Sequence, residues 1–309
     1  MSRCLHSTLL FLLVWAGLAG AQSQPLGTES VTVNGTKPAP KEKLRDFILG
    51  YTAPAGAGGK MARWKYGVCP VVAGLPEAHA KFVTARVRQV AGMVGAPVAD
   101  AQSCKTNIDI VFTLNPQVLL DEVRKKHRAF LGYHDAAQEL RLATVTHPVQ
   151  AWYTTQTVDL KGSAYIDDKL TNHGGFTIMV PRGAGYEQVF IPDARVASVT
   201  GSHLGDGISS ELYHVIITVD PAKVQGRTLG ALADYVAMLS LAQTQSFEAC
   251  APIASITNLV SRDCDAAVTT SEISANDLAY LQGLYRIDPR ASFAHQQSEI
   301  ATRMVKDGR

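Results

Sequence analysis

The stretch Leu229–Gln243, LGALADYVAMLSLAQ, decides how the last third of this 309-residue chain folds. Most of its larger side chains recur three or four residues apart, and the stripe that they form consists of Leu229, Leu232, Val236, Leu239 and Gln243. This spacing is typical of one face of an α-helix. The sequence therefore predicts a helix from Leu229 to about Thr244.

The same stretch has the spacing of a zinc-binding helix without its ligands. Such a helix carries two His four residues apart, so that both imidazoles project from one face, and a Glu beside the first His acts as general base. Here these positions hold Ala233, Ala237 and Asp234, and Gln243 stands where the longer motif has its third His. Because alanine has no lone pair to offer, we expect no metal and no other cofactor.

The residues before this helix predict a sheet-forming block, with further helices around it. Strands are expected at 107–113, 139–146, 151–160, 176–180, 188–199 and 212–220, which are rich in β-branched and aromatic residues. Helices are expected at 77–94, from Asn115–Pro116 to about His127, near 252–260, after the capping-box pair Ser274 and Asp277, and at the C-terminus. The fold class that follows is α+β, a mixed sheet with helices on one side.

The start of the chain has the layout of a secretory signal. Arg3 and His6 precede an apolar run from Leu9 to Gly20, and Ala19–Ala21 forms a small-residue cleavage site. The apolar run is too short for a membrane span, and no other segment approaches the required length. We therefore expect an exported protein, periplasmic or extracellular, with no membrane span after signal cleavage.

Four cysteines remain in the chain after that cleavage, which are Cys69, Cys104, Cys250 and Cys264. An even number in an exported protein favours disulfides over metal ligands, and no Cys-x-x-Cys occurs. Four cysteines allow three pairings, of which the two local pairs, Cys69 with Cys104 and Cys250 with Cys264, are the simplest.

The charge balance gives no sign of a polyanionic partner. The formal net charge is +2, and removal of Arg3 with the signal leaves 28 basic against 27 acidic residues, a net charge of +1. Nothing in this balance calls for nucleic acid or an anionic membrane.

Three segments of the last third resemble the metzincin proteases in their order. They are Gly230–Gln243 for the active-site helix, Ser255–Asn258 for the methionine-containing turn, and Ile273–Tyr285 for the closing helix, with Thr257 at the methionine position. The resemblance covers about 60 residues and implies a zincin-like core that lacks the zinc ligands. Because every position that such an enzyme uses is altered, the resemblance implies a pseudoenzyme.

Over most of its mature length the chain also resembles an uncharacterised family of exported bacterial proteins. The pieces that carry this resemblance are Arg63–Trp64, Cys69–Pro70, Cys104, Asn107–Ile108, Ala151–Tyr153 and Asp277–Tyr285. No activity comes with it.

A polar segment, 201–214, offers an alternative function. His203 or His214 could activate Ser209 or Ser210, with Asp206 or Glu211 as orienting carboxylate and Asp234 nearby in the folded chain. No G-x-S-x-G motif is present, and a solvated turn before a strand explains the same residues. The alternative is a peptidase-like hydrolase with a non-standard site.

Two adjacent aromatic residues, Trp152 and Tyr153, point to opposite faces of their predicted strand. We expect one of them to be core and the other to be exposed, where it could line a groove for a peptide or a glycan.

These inferences combine into one domain organisation: a signal peptide at 1–21, a flexible leader at 22–60, and a zincin-like domain at 61–309. The domain divides into a mixed α/β lobe at 61–220 and a helical lobe at 221–309. We expect an exported non-catalytic protein on a metalloprotease-like scaffold, whose cleft beside Ala233 and Ala237 binds a peptide or an envelope component. A purely structural partner of an envelope assembly is a third hypothesis.

Overall fold

The fold is seen in a computed structural model that describes residues 39–169, 175–183, 185–192, 199–200, 206–245, 249–261 and 263–307. The predicted signal peptide, residues 22–38 of the predicted leader, and His203 lie outside the described residues. Residues 37–309 group into one compact unit.

Seven strands and seven α-helices occur in the described part of the chain. The strands are β1 (Pro70–Ala73), β2 (Ile108–Phe112), β3 (Val149–Val158), β4 (Ala164–Ile166), β5 (Gly175–Arg182), β6 (Gly185–Pro192) and β7 (Ser209–Val219). The helices are α1 (Lys41–Tyr51), α2 (Glu77–Val94), α3 (Pro116–Lys126), α4 (Ala136–Leu142), α5 (Leu229–Leu241), α6 (Ala275–Arg286) and α7 (Phe293–Asp307). Short 3-10 helices lie at Arg128–Leu131 and Ile256–Asn258.

Five strands form a mixed sheet in the order β1-β2-β7-β3-β4. β1, β2 and β7 are parallel, whereas β3 runs antiparallel to β7 and β4 antiparallel to β3. The parallel pair β1 and β2 is joined by α2, since parallel strands need a long crossover connection. The protein is therefore α+β with a mixed sheet, as the sequence predicts.

Helices cover both faces of this sheet, and the expectation of helices on one side is wrong. On one face, side chains of α2 and α5 join Val215 and Ile217 in the main core. On the other face, side chains of α3 and the 3-10 helix at Arg128–Leu131 pack with Trp152 and Ile216 in a smaller cluster. Successive side chains of β3 and β7 therefore enter different cores.

The prediction of a flexible leader at 22–60 is wrong for its second half, which contains the first described helix. Residues 41–51 form α1, which buries Leu44, Phe47, Ile48 and Tyr51 in the main core. Their spacing is that of one helical face, and burial of these side chains explains why the segment is not a flexible tether. Residues beyond α1 are ordered as well, since Lys60 is only 5 % exposed and bridges to Ala55.

The strand predicted at 139–146 is wrong, because this part of the chain is helical. α4 covers Ala136–Leu142 and begins at a capping box formed by Asp135 and Gln138. This pair satisfies two backbone N–H groups at the helix start, which outweighs the alternating pattern of the following residues.

The strands β5 and β6 form a separate two-stranded hairpin. Gly175 lies opposite Pro192 and Arg182 opposite Gly185. This agrees with the strand predicted at 176–180, and β6 agrees with the predicted strand at 188–199 up to Pro192, whereas residues 193–198 lie outside the described residues.

The two local cysteine pairs are both joined as disulfides. The Cα atoms of Cys69 and Cys104 lie 5.9 Å apart, and those of Cys250 and Cys264 lie 5.5 Å apart. None of the helices in the described ranges has the length and apolar character needed to cross a membrane.

Candidate functional site

The helix α5 is enclosed by the core. It begins at Thr228, whose side chain accepts a hydrogen bond from the N–H of Ala231, and it buries every residue from Ala231 to Leu241. The last carbonyl groups of a helix need partners from elsewhere. Trp64 Nε1 donates to the carbonyl of Ser240 at 2.7 Å, and Tyr285 Oη donates to that of Leu241 at 2.9 Å.

The groove predicted beside Ala233 and Ala237 does not exist. Both residues are 0 % exposed and belong to the main hydrophobic core. A methyl group in a close-packed interior leaves no room for a ligand. The space around the two positions where a metal site would place imidazoles is therefore filled by core side chains. The prediction of a cleft at these alanines is wrong.

Asp234 is held in an ion pair. Its Oδ1 lies 2.5 Å from Nε of Arg86 and its Oδ2 lies 3.2 Å from Nη2 of the same guanidinium. The N–H of Ile273 donates to Oδ2 at 2.8 Å. The hydrogen bond to this carboxylate raises the pKa of Arg86. Asp234 thus joins α5 to α2 and to the segment before α6, and its oxygens are engaged in these contacts.

The turn that follows α5 is organised by a buried carboxylate. Asp277, at the start of α6, accepts hydrogen bonds from Ser255 Oγ at 2.5 Å, Ile256 N–H at 2.8 Å and Ser274 N–H at 2.8 Å. Burial raises the pKa of Asp277, and the hydrogen bonds oppose that rise. The 3-10 helix at Ile256–Asn258, which contains Thr257, contacts α5.

The polar residues of the predicted hydrolase site are engaged in separate contacts. Asp206 pairs with the buried Lys60 at 3.1 Å, and Glu211 accepts a hydrogen bond from Gln156 Nε2 at 2.8 Å. Ser210 is buried. Neither of the two contacts joins these carboxylates to a histidine.

His214 has another carboxylate as its neighbour. Its Nε2 lies 3.1 Å from Oδ2 of Asp109, and its ring stacks on Phe130 with the centroids 4.6 Å apart. Successive side chains of β7 point to opposite faces of the sheet, so His214 lies on the same face as Ile216 and on the face opposite to Val215. The face of Val215 is the one that α5 covers. Asp234 and His214 are consequently on opposite sides of the sheet, and the expected proximity of the two is not found. With His203 outside the described residues, the hydrolase alternative stays a prediction.

An open groove of about 410 Å³ lies along β3 and beyond the C-terminal end of α5. It is lined by Pro54, Gly56, Leu131, Gly132, Tyr133, Leu142, Thr146, His147, Gln150, Ala151, Trp152, Tyr153, Thr155, Gln243, Thr244 and Gln245. Sequence patterns point to only part of this set. The predicted third-ligand position Gln243 and the pair Trp152 and Tyr153 belong to it, but the other residues carry no motif.

Backbone groups of β3 point into this groove. The carbonyl of Pro148 accepts from Asp220 N–H on the β7 side, whereas that of Thr155 accepts from Asp167 N–H on the opposite side. Because the direction alternates along a strand, the N–H and C=O groups of Ala151 and Tyr153 face away from β7. β4 pairs with β3 only from Gln156 to Val158. Before Thr155, β3 therefore has no partner among the described strands on this side, and Gly132 lies against the carbonyl of Tyr153.

Trp152 and Tyr153 are both buried, at 3 % and 8 % exposure, so the expectation that one of them is exposed is wrong. Trp152 enters the smaller cluster and donates from Nε1 to the carbonyl of Leu142 at 2.7 Å. Tyr153 enters the main core, where burial raises its pKa. Helices on both faces of the sheet explain why both rings are covered.

Gln243 lines the groove and contains an unsatisfied buried atom. Its Oε1 is buried and has no hydrogen-bond partner among the described residues. Gln245, two residues further on, is attached to α1 because its N–H donates to the carbonyl of Tyr51 at 2.9 Å. A buried acceptor without a donor is costly to stability.

No group of three or more His, Cys, Asp or Glu side chains in the described ranges is arranged to hold a metal ion. The residues that line the groove bring hydrogen-bonding groups and apolar side chains.

Comparison with known proteins adds no relative: no family model matches the chain, and no curated protein and no solved structure is significantly similar to it.

Proposed function

We propose that this is an exported, non-catalytic protein that binds an extended peptide in the groove along β3. The observation that carries the proposal is the edge of β3 before Thr155, which has no partner among the described strands and where the backbone groups of Ala151, a residue of the groove lining, face away from β7. An extended peptide can add to such an edge as a further strand, with main-chain hydrogen bonds giving affinity and side-chain pockets giving specificity.

The scaffold is that of a metalloprotease without its catalytic groups. Three features support this part of the proposal: β7 precedes α5 in the chain, the turn at Ile256–Asn258 contacts α5, and Asp277 at the head of α6 binds that turn. These are the segments in which the sequence resembles the metzincins.

The contacts of α5 support a non-catalytic role. Ala233 and Ala237 are enclosed in the core, and Asp234 at the position of the general base is engaged by Arg86 and Ile273. A general base must reach the proton that it removes. A carboxylate that is 3 % exposed and held by a guanidinium does not meet that requirement.

Export is supported by the disulfides. Both pairs, Cys69–Cys104 and Cys250–Cys264, are of the kind that persists in oxidising compartments. The proposal therefore places the protein in the periplasm or outside the cell, where the ligand is an extracytoplasmic peptide or an extended segment of an envelope protein.

The test selects linear peptides from a random library displayed on phage, with the immobilised protein as bait. Selected peptides are then labelled and titrated against wild type and Ala151→Pro by fluorescence anisotropy. The proline removes the N–H that faces the groove and adds a ring at the edge, so we expect affinity to fall at least about tenfold. Ala151→Ser keeps the N–H and serves as the matched control, with wild-type affinity.

The stability of the variants checks that the sheet is intact. Ala151→Pro loses no ladder bond, so its unfolding free energy should stay within about 1 kcal/mol of wild type. Gln150→Pro removes an N–H that faces β7 and should cost about 3 kcal/mol or more relative to Gln150→Ala. Failure to enrich any peptide, or equal affinity of the selected peptides for Ala151→Pro, would overturn the proposed function.

A further inference from the structure

We propose that the Cys250–Cys264 disulfide is a site of thiol–disulfide exchange, at which a small neutral or cationic thiol attacks the sulfur of Cys250 and becomes attached there. This modification goes beyond the proposed function and does not depend on it. Three observations carry it: the exposure of Cys250, the pocket beside it, and hydrogen bonds that hold the loop closed by the disulfide.

The two disulfides differ in how accessible their cysteines are. Cys250 is exposed and Cys264 and Cys104 are half-buried, whereas Cys69 is only 6 % exposed. Cys69 is also fixed at the start of β1, where its N–H donates to Oδ1 of Asn107 at 2.7 Å and its carbonyl accepts from the N–H of Asn107 at 3.2 Å. The rate of exchange depends on access to the sulfur that is attacked. We therefore expect a thiol to react first at Cys250.

A pocket of about 270 Å³ lies beside Cys250. The buried residues Phe47, Tyr51 and Ala251 contribute to its lining, and so does the exposed Asp46. A small thiol can place its carbon chain in this pocket with its sulfur toward Cys250. The carboxylate of Asp46 attracts a cationic thiol and repels an anionic one, so the pocket favours neutral and cationic thiols.

The exchange conserves atoms and electrons. A thiolate, whose proton has gone to solvent, attacks Sγ of Cys250, and the bond to Sγ of Cys264 breaks as the new S–S bond forms. Cys264 leaves as a thiolate and takes up a proton from solvent. The reverse attack by Cys264 on the mixed disulfide restores the original bond and releases the small thiol.

Contacts that do not involve sulfur hold the same loop. The side chain of Asn258, which is 1 % exposed, accepts from the N–H of Ala251 at 2.8 Å and donates to the carbonyl of Val268 at 2.9 Å. Ala251 follows Cys250 directly, and Val268 lies four residues after Cys264, so this carboxamide joins the same two segments as the disulfide. The loop therefore stays folded when the disulfide opens, and Cys264 remains close enough to close it again.

The experiment treats the full chain with an excess of cysteamine, 2-mercaptoethanol or mercaptoacetate, which are cationic, neutral and anionic thiols. Free thiols are first blocked with iodoacetamide, so that Cys4 takes no part. Samples are quenched with N-ethylmaleimide over time and their peptides are identified by mass spectrometry. Cysteamine should be found on Cys250 and N-ethylmaleimide on Cys264, at least about tenfold faster than any label on Cys69 or Cys104.

The variant Asp46→Asn tests the pocket. It should slow cysteamine about threefold, speed mercaptoacetate by a similar factor and leave 2-mercaptoethanol unchanged. Glu42→Gln is the matched control, because it removes an exposed carboxylate one turn earlier on α1 and should change the three rates little. Hydrogen exchange at the amide of Ala251 tests the loop and should be equally slow before and after exchange.

Three outcomes would contradict the proposal. Attachment of the thiol to Cys264 first, or opening of both disulfides at one rate, overturns the exchange site at Cys250. An equal effect of Asp46→Asn on all three thiols overturns the selection of thiols by the pocket. Loss of protection at Ala251 on opening overturns reversible exchange in a folded loop.

Discussion

The guanidinium of Arg86 and the carboxylate of Asp234 meet through two nitrogen–oxygen contacts across a sequence separation of 148 residues. Asp234 is the residue that the sequence resemblance places at the general-base position of a zinc protease. The ion pair gives this carboxylate a structural role, because it joins α5 to α2.

Loss of this ion pair should destabilise the fold. In Asp234→Asn the guanidinium of Arg86, whose side chain is 22 % exposed, keeps its charge without a counter-ion. Removal of one partner of a buried pair costs roughly 3 to 5 kcal/mol, and the partial exposure of Arg86 reduces this to about 2 to 4 kcal/mol. Urea unfolding measures the difference.

A matched ion pair on the surface provides the control. Glu299 and Arg303 lie four residues apart on α7 with a nitrogen–oxygen distance of 2.7 Å, and Glu299→Gln should cost no more than about 0.5 kcal/mol. If Asp234→Asn is as mild as this control, the contact between Arg86 and Asp234 does not hold α5 to α2.

Histidines placed at positions 233 and 237 should not create a metal site. In the double variant Ala233→His/Ala237→His, two imidazoles replace methyl groups that are 0 % exposed. Overpacking and burial of polar rings should lower the unfolding free energy by about 3 kcal/mol or more, and the purified variant should contain no stoichiometric zinc. Denaturant unfolding and elemental analysis measure the two outcomes.

Ala85→His places an imidazole on the exposed side of α2 and should change stability by about 0.5 kcal/mol or less. One zinc per chain in the double variant, with wild-type stability, would show that the space around α5 is open, contrary to the structure.

The buried Asp277 should make stability depend on pH in a recognisable direction. Its folded pKa is raised by burial above the ordinary value of 3.8, so the folded state holds this proton more tightly than the unfolded state does. The contribution of this proton to stability is complete below pH 3.8 and is lost as the pH rises through the folded pKa. Relative to Asp277→Asn, wild type should therefore lose stability as the pH rises above 3.8.

Glu122 gives the opposite sign as a control, because its hydrogen bond to Lys126 lowers its pKa. Wild type should lose stability relative to Glu122→Gln as the pH falls through the folded pKa of Glu122. Denaturant unfolding at a series of pH values measures both slopes. If the unfolding free energies of wild type and Asp277→Asn depend on pH in the same way, Asp277 has the same pKa in the folded and unfolded states.

The helices around the site are predictable to the extent that their signals are local. α2 begins and ends as expected at Glu77 and Val94, and α6 begins at the capping box of Ser274 and Asp277. α4 is not predicted although Asp135 and Gln138 form the same kind of cap, because the following residues also alternate like a strand. Two local patterns then compete, and the capping box outweighs the alternation in a helix that buries none of its residues.

The groove is much less predictable. Its lining comes from β3, from the residues after α5, and from the segments around Pro54 and Gly132. None of these segments has a chemical motif. The residues of a strand also do not show whether another strand will pair with its edge. β3 is open because β4 is short and pairs only from Gln156 onward.

By itself, the sequence determined the helices with strong local signals such as α2 and α6, the cysteines available for disulfides, and the lack of a metal-binding side chain at Ala233 and Ala237. Each of these depends on residue identity and on spacing within one segment, where side-chain periodicity and donor chemistry act locally. Only the tertiary structure decided that the two alanines are enclosed, that Asp234 forms an ion pair with Arg86, and that the edge of β3 away from β7 has no partner among the described strands before Thr155. These properties depend on which distant segments meet, and close packing makes that outcome a property of the whole chain.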